Sequence, residues 1–561
     1  MPRNDILTLV VYFIALLSLA YPLGHLISEV LQGRVPRFLK FLTPVEQLCY
    51  KLSGFNPQSE QKARSYLKEL LIFNLAGFGV LFLILLTQSA LPLNPQQYPS
   101  LSWHLAFNTA VSFVTNTNWQ AYSGEAALSN FSQMVGLTTQ NFVSASTGLA
   151  VVAVLARGLS RKVNGNVGNF GADLVKSTIY ILIPISFLFA IILISQGVVQ
   201  SFSSFPVATT IEGATQVIPM GPAASQIAIK QLGTNGGGFF GVNSAHPFEN
   251  PTPFSNFLQV LAILLIPVSQ VFAFGKMIRR PKDGIAILSA MFLIFIPLLL
   301  LALWFEHQGI PGLGATMEGK EVRLGVTESV LWGVSTTAAS NGSVNAMHSS
   351  FTPMAGLVFI FQMLTGEVIL GGAGAGLYGI ALYAIITLFL AGLMVGRSPE
   401  WLGKKIEAYE VKLALTALLV PGAVILIGVS LGLIMPWGLS ALSHNGPHGL
   451  SELLYGFAST VGNNGSAYGG LGAGSPALNT IFGLCMLVGR FVVIIPVVLI
   501  AGSLGMKKST PPSSGTFPTD GILFVTLLAG IILIFGALTF FPVLALGPIA
   551  EHLLMMAGKT F

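Results

Sequence analysis

The stretch Gly233-Thr234-Asn235-Gly236-Gly237-Gly238 is a short polar loop inside an otherwise apolar sequence. Three further loops interrupt apolar stretches in the same way: Val114-Thr115-Asn116-Thr117-Asn118-Trp119-Gln120, Ala339-Ser340-Asn341-Gly342-Ser343 and Val461-Gly462-Asn463-Asn464-Gly465-Ser466. Each follows a segment too short to cross a bilayer and precedes a long apolar segment. With Asn116, Asn235, Asn341 and Asn464 as markers, the loops lie 119, 106 and 123 residues apart. The chain therefore repeats one pattern four times.

The composition is that of a polytopic membrane protein. Of 561 residues, 53% are hydrophobic and only 9% are charged, whereas soluble proteins carry about 25% charged residues. A spanning helix needs about 20 apolar residues. We predict ten spans, near 6–27, 70–90, 131–156, 177–196, 256–275, 284–305, 352–396, 411–435, 477–503 and 520–546, with 352–396 as one broken helix. The first apolar run lacks a small-residue cleavage site, so we expect a retained helix rather than a signal peptide.

Positive charge predicts the orientation of these spans. Most of the 27 Lys and Arg residues lie in alternate loops, within 28–69, 157–176, 276–282, 397–412 and 507–508. Loops enriched in Lys and Arg stay in the cytoplasm. We therefore expect both termini and all four polar loops to face outward. Topology accounts for the net charge of +6, which carries no implication of nucleic-acid binding.

The repeated pattern divides the chain into six segments. Each repeat is expected to comprise a membrane helix, a short pore helix, a polar loop and a second membrane helix, with pore helices near 101–113, 222–232, 326–338 and 450–460. The predicted segments are a first helix and cytoplasmic loop (1–69), pore repeats at 70–157, 158–278, 279–397 and 398–505, and a last helix (506–561). The predicted fold class is an all-α membrane protein with four pseudo-fourfold helix–pore-loop–helix repeats.

The four polar loops are typical of a filter for potassium ions. Rings of backbone carbonyls replace the hydration shell of potassium, whereas filters for divalent cations usually carry acidic rings, and these loops contain no carboxylate. Four unrelated turns are the alternative, but four loops in register with the topology favour a filter. The candidate filter residues for K+ are Thr115, Asn116, Thr117, Asn118, Thr234, Asn235, Gly236, Ser340, Asn341, Gly342, Asn463, Asn464 and Gly465. Gln120 either lines the outer mouth or braces the first loop.

The seventh predicted span contains a cluster of glycines, Gly371, Gly372, Gly374 and Gly376. Each costs a helix about 1 kcal/mol relative to Ala, so we expect a break that acts as a gate or constriction below the third loop. Close packing of small residues is the alternative. Glu367 and Arg490 lie within spans and either pair with each other or line the cavity below the filter.

No catalytic residue is predicted. The chain has no Asp-Lys-Thr-Gly-Thr motif, and no cytoplasmic loop exceeds about 40 residues, too few for a nucleotide-binding domain. The eight histidines show no metal-ligand spacing. We expect a non-enzymatic protein.

These loops, together with Phe239-Phe240 after the second and Tyr468 after the fourth, resemble those of the A subunit of the bacterial Kdp potassium-transporting ATPase. The resemblance extends along essentially the whole chain. It implies a subunit that binds external potassium and passes it through an intramembrane tunnel to a P-type ATPase B subunit, which hydrolyses ATP. A C subunit and a small F peptide would complete the complex in the cell inner membrane.

The resemblance also implies residue roles. Gln120 matches a filter-edge position that affects potassium affinity, and Glu367 and Arg490 match charged positions near the tunnel entrance. It places a constriction at the glycine break. Two other hypotheses are a stand-alone channel or ion-coupled transporter of the Trk/Ktr type, and a secondary transporter with inverted repeats. Four loops on one side argue against inversion.

Overall fold

The computed structural model describes residues 3–161, 163–396, 398–511 and 516–559. Lys162 and Arg397, two basic residues of the predicted cytoplasmic loops, lie outside these ranges. Within them, ten helices are long and apolar enough to cross a membrane, which we call spans 1 to 10: Asp5–Leu31, Ala63–Ala90, Ser132–Ser160, Phe170–Ser195, Pro253–Met277, Pro281–Gln308, Ala375–Met394, Ala408–Gly432, Pro476–Met506 and Ile522–Met556. This confirms the all-α class and the predicted number of spans.

Four short helices precede the four polar loops. These pore helices, numbered 1 to 4, are Trp103–Val114, Ala223–Leu232, Gly325–Ala338 and Gly446–Val461. At 10 to 16 residues they are shorter than a membrane crossing. Each ends beside its own polar loop, so the partial negative charge of four helix C-termini is directed at the loops.

The seventh predicted span is broken, but not where the glycines alone indicate. Its first part is the helix Pro353–Leu364, and its second part begins at Ala375. The non-helical segment between them, residues 365–374, is called the break below. It starts six residues before Gly371, while Gly376 lies inside the second helix. The positive φ values of Gly366 and Glu367 show that the chain leaves the helix before the glycine cluster.

The remaining elements are short and connect the spans. They include the helices Thr43–Ser53, Gly124–Ala127 and Pro436–Leu439, and three two-stranded antiparallel pairs, Gln61–Lys62 with Asn166–Gly168, Val207–Thr209 with Thr215–Val217, and Glu400–Trp401 with Lys404–Lys405. Spans 3, 5 and 7 are mostly buried and surround the loops, whereas spans 1, 2 and 8 are mostly exposed. The apolar surface of those outer spans is suited to lipid or to other membrane helices.

A buried ion pair joins three spans at the end opposite the polar loops. Arg157 of span 3 donates hydrogen bonds to both carboxylate oxygens of Asp173, at 2.5 and 2.7 Å. The same guanidinium donates to Leu31 O at the end of span 1 and to Val167 O. One side chain therefore satisfies a carbonyl that the end of span 1 leaves without an intrahelical partner and a second carbonyl in the strand Asn166–Gly168.

We expect Arg157→Met to destabilise the protein by about 3–5 kcal/mol, because removing one partner leaves a buried charge uncompensated. Thermal unfolding in detergent measures the effect. Arg161→Met is the matched control: its partner Glu60 is 45% exposed, and an exposed pair contributes about 0–1 kcal/mol. Equal melting temperatures for the two variants would contradict this account of the end opposite the polar loops.

Candidate functional site

The four polar loops meet and form a closed ring. A Cβ atom added to Gly236 of the second loop would lie 1.6 Å from Asn341 O of the third. One added to Gly342 would lie 2.0 Å from Asn464 O of the fourth loop, and one added to Gly465 would lie 2.0 Å from Thr117 O of the first. The first and second loops are joined by a hydrogen bond of 3.2 Å from Asn118 Nδ2 to Gly237 O. Each loop therefore touches the next around one axis.

Asparagine side chains tie neighbouring repeats together. Asn341 Nδ2 donates to Lys230 O at 3.1 Å, and Asn464 Nδ2 donates to Thr336 O at 2.9 Å. Asn116 Nδ2 donates to Thr234 O at 3.0 Å. In these bonds the amide holds the backbone of the preceding or following repeat. The Asn side chains of this ring therefore stabilise the loops through their amide N–H groups, in addition to carrying carbonyl oxygens.

Backbone dihedrals correct the predicted alignment of the loops. Left-handed φ values recur at pairs two residues apart: Asn116 and Asn118, Thr234 and Gly236, Ser340 and Gly342, and Asn463 and Gly465. This pattern aligns Thr117, not Asn116, with Asn235, Asn341 and Asn464, so the first spacing is one residue shorter than the Asn markers predicted. Asn118 occupies the position that is Gly in the other loops. Asn is among the few non-Gly residues that enter the left-handed region readily, which explains how the first loop dispenses with glycine.

The structure brings all thirteen predicted filter residues together. Twelve are buried and Gly465 is half-buried. The hydroxyl of Thr115 is engaged within its own repeat, where it donates to Val111 O and contacts Thr117 Oγ1 at 2.7 Å. The role of these thirteen residues in binding an ion stays a prediction.

Gln120 braces the edge of the ring. Its Nε2 donates to Gly238 O and its Oε1 accepts from Gly238 N, both at 3.0 Å. This two-way bond links the outer end of the first loop to the second. Of the two alternatives drawn from the sequence, the structure shows the brace.

Large side chains support the third and fourth loops from behind. Trp332 Nε1 donates to Ser343 O at 2.8 Å. Tyr455 and Ser466 share a hydroxyl hydrogen bond of 2.6 Å, and His348 Nδ1 contacts the Tyr455 hydroxyl at 2.7 Å. Burial lowers the pKa of His348 to about 3, so this imidazole is neutral at physiological pH and acts through hydrogen bonding.

A cavity of about 80 Å³ lies beneath the ring. Its roof comes from the inner residues of the loops, including Asn116, Ser340 and Asn463. The break supplies one wall, and residues of span 8 around Pro421 and Gly422 supply another. The cavity therefore extends from the ring toward span 8, one of the exposed spans.

Hydrogen bonds hold the break directly against the ring and against span 5. Ala373 N donates to Thr234 Oγ1 at 2.9 Å. Gln270 of span 5 donates to Gly372 O at 3.0 Å and accepts from Gly374 N at 2.6 Å. Gln270 was missed in the sequence, although an amide in the middle of an apolar span is a signal that such a partner exists.

The two intramembrane charges do not pair with each other among the described residues. Arg490 lines the cavity, donating to Ser144 O at 3.0 Å and to the Tyr378 hydroxyl at 3.3 Å. Glu367 is buried in the break, and its carboxylate lies near Gly462, where an added Cβ would be 3.5 Å from the carboxylate carbon. The cavity alternative is therefore correct for Arg490, while Glu367 lies beside the fourth loop.

The chain is similar to known proteins along nearly its whole length. The family model for the potassium-transporting ATPase A subunit matches residues 10–553. A potassium-transporting ATPase potassium-binding subunit of Pseudomonas aeruginosa is 54% identical over 99% of both chains. One of Rhodospirillum centenum is 51% identical over 100% of this chain and 99% of its own length. The crystal structure of the potassium transporter TrkH from Vibrio parahaemolyticus is similar in fold, with a TM-score of 0.50 and 14% identity over 89% of this chain and 98% of TrkH.

Proposed function

The chain belongs to the potassium-transporting ATPase A subunit family, and from this premise we propose that it selects external potassium in the ring of four loops. The observation that carries the proposal is the closed ring itself, in which glycine contacts and Asn side chains hold the backbone of all four loops around one axis above a cavity. Loops without carboxylates favour a monovalent ion. Potassium is the cargo of the site rather than a resident cofactor.

The ion's onward path is proposed to begin in the cavity beneath the ring. The cavity reaches span 8, whose exposed apolar surface is available to a membrane partner. The break forms its constriction, and Arg490 limits how many cations the cavity holds, because a buried guanidinium repels them. Glu367 lies beside the fourth loop at the entrance to this path.

Uptake of potassium against a gradient requires an energy source, which we assign to a partner subunit. We propose that it is a non-catalytic subunit of a complex with a P-type ATPase B subunit, a C subunit and a small F peptide. The relatives are named as subunits of a potassium-transporting ATPase, which supports this assembly. We propose that the complex lies in the inner membrane, and the distribution of Lys and Arg supports an orientation with both termini and the ring on the periplasmic side.

Purification of the tagged chain from its native membrane tests the proposal. We expect a P-type ATPase subunit to co-purify, with ATP hydrolysis that potassium stimulates and vanadate inhibits. Passive potassium flux through the lone chain in liposomes, with no associated ATPase, would instead support a stand-alone channel or ion-coupled transporter. The TrkH likeness bears on fold alone and does not favour that alternative.

We expect Gln120→Ala to weaken apparent potassium affinity about three- to tenfold, with little change in maximal rate. The variant loses both bonds to Gly238, and each hydrogen bond contributes about 0.5–1.5 kcal/mol. Potassium-stimulated ATP hydrolysis over a range of potassium concentrations measures this shift. Gln216→Ala is the control, because Gln216 is exposed in the strand Thr215–Val217. Identical potassium affinities for the two variants would show that the hydrogen bonds between Gln120 and Gly238 do not affect potassium binding by the ring.

A further inference from the structure

A buried ion pair lies directly behind the second loop. Lys230 of pore helix 2 and Glu249 are both completely buried, and the ammonium of Lys230 donates to the Glu249 carboxylate. The ammonium also donates to Asn243 Oδ1 at 3.1 Å, and Glu249 accepts a hydrogen bond from Ser244 at 2.9 Å. Fully buried Lys and Glu are rare unless paired, so this pair needs an explanation.

Lys230 holds two loops through its backbone. Its carbonyl accepts hydrogen bonds from Asn235 N at 2.8 Å and Gly236 N at 3.0 Å, both in the second loop. The same carbonyl accepts from Asn341 Nδ2 of the third loop at 3.1 Å. Its side chain covers the end of the second loop, because a Cβ added at Gly238 would lie 3.0 Å from Lys230 Cδ. Movement of Lys230 would therefore displace both loops.

The other three repeats use a hydroxyl residue at the equivalent position. Ser112, Thr336 and Ser459 each accept a loop N–H at the backbone carbonyl, from Thr117, Asn341 and Asn464 respectively. Their hydroxyls bond to their own loops: Ser112 Oγ donates to Trp119 O, Thr336 Oγ1 accepts from Gly342 N, and Ser459 Oγ accepts from Gly465 N. In this set of four, only the Lys230 side chain is anchored to groups outside its own loop, at Glu249 and Asn243.

We propose that the Lys230–Glu249 pair is a positioning device that sets the ion selectivity of the ring. The second loop has glycine at three consecutive positions, Gly236, Gly237 and Gly238, and so has the most backbone freedom of the four. A hydroxyl bond to a loop this flexible constrains it less than an anchored side chain does. The pair is neutral overall and adds no net charge behind the filter.

Selectivity is the property that this anchor affects most. Discrimination between cations of similar size depends on the position of the coordinating carbonyls, whether by cavity size or by field strength. Small loosening of a site degrades function well before the site is lost. Loss of the anchor should therefore reduce discrimination between potassium and rubidium more than it reduces maximal rate.

The test uses the complete complex with the double variant K230M/E249Q, which removes both charges at similar side-chain volume. We expect apparent potassium affinity and potassium-over-rubidium discrimination each to fall about tenfold, with the maximal rate of ATP hydrolysis within about twofold of wild type. The matched control is K320M/E306Q. Lys320 and Glu306 form an equally buried pair at 2.8 Å, but Lys320 bonds to Glu306, Glu318 O and Ser350 O rather than to a loop. That control is expected to lower thermal stability without altering discrimination.

A milder variant covers the case in which K230M/E249Q does not assemble. Asn243→Gly removes one acceptor of Lys230 and retains the positive φ of 52° at that position. We expect it to lower discrimination two- to fivefold. Wild-type affinity and discrimination in an assembled K230M/E249Q complex, or unchanged discrimination in Asn243→Gly when the double variant does not assemble, would overturn the proposal.

This inference rests on the proposed potassium-binding function, and the wild-type complex separates the two. If wild-type ATP hydrolysis does not respond to potassium, the proposed function fails. If the wild-type response is selective and the anchor variants share it, only the positioning role fails.

Discussion

Gly236→Ala is expected to abolish potassium uptake at micromolar potassium. The added methyl group would lie 1.6 Å from Asn341 O, and the backbone at Gly236 has φ of +86°, which L-residues rarely adopt. The second and third loops must separate to accommodate it, so the ring opens at a position of the proposed filter. We expect apparent affinity to fall by more than about tenfold, or 1.4 kcal/mol. Growth and uptake in cells that lack other potassium systems measure the loss.

Gly213→Ala separates the two causes of this effect. Gly213 lies in the turn between the strands Val207–Thr209 and Thr215–Val217. It has a similar φ of +80°, but no heavy atom lies within 4 Å of an added Cβ. The control therefore carries the backbone cost without the collision. If cells carrying Gly236→Ala take up potassium at micromolar concentrations as well as cells carrying Gly213→Ala do, the ring is not the filter.

Gly374→Ala is expected to slow transport more than it weakens binding. An added Cβ would lie 2.2 Å from the Gly148 carbonyl group, and φ is +84°. The substitution pushes the break away from span 3 while the loops above keep their mutual contacts. We expect maximal ATP hydrolysis and uptake to fall about tenfold or more, with apparent affinity changed less than about threefold. Equilibrium potassium binding to the purified complex, compared with uptake, measures the two separately.

Gly366→Ala is the control within the same break. Its φ is +81°, yet no heavy atom lies within 4 Å of the added Cβ. A transport defect in Gly374→Ala and not in Gly366→Ala assigns the effect to contact with span 3. Parallel loss of binding and transport in Gly374→Ala would instead support the simple packing role that small residues play between helices.

The local elements could be predicted closely. The spans and pore helices follow from lengths of apolar sequence and from the polar loops that separate them, so their existence needs no knowledge of distant contacts. The break was anticipated from its glycine cluster, but its start at Thr365 was not, because a single glycine, Gly366, marks the departure from the helix there, whereas the prediction relied on the cluster that begins at Gly371. The first loop was aligned one residue out of register. Matching Asn with Asn ignored that Asn118 replaces a glycine in left-handed conformation.

Most of the residues that support the site could not be predicted from the sequence. Lys230 and Glu249 are 19 residues apart, and Gln270 and Gly372 are separated by 102. No periodicity connects such pairs, because their contact depends on how whole repeats pack. The choice between the two alternatives for Glu367 and Arg490, pairing or lining the cavity, could not be made from the sequence for the same reason: both are intramembrane charges, but only Arg490 lines the cavity.

By itself, the sequence determined that this chain crosses the membrane ten times and carries four polar loops without a carboxylate. These properties follow from local hydropathy and from the residues that neighbouring positions can accommodate. Only the tertiary structure decided the order of loops around the ring, the residues that hold each loop in place and the direction of the cavity beneath. Those features arise from packing between repeats more than 100 residues apart, where carbonyl and amide groups must find partners away from water.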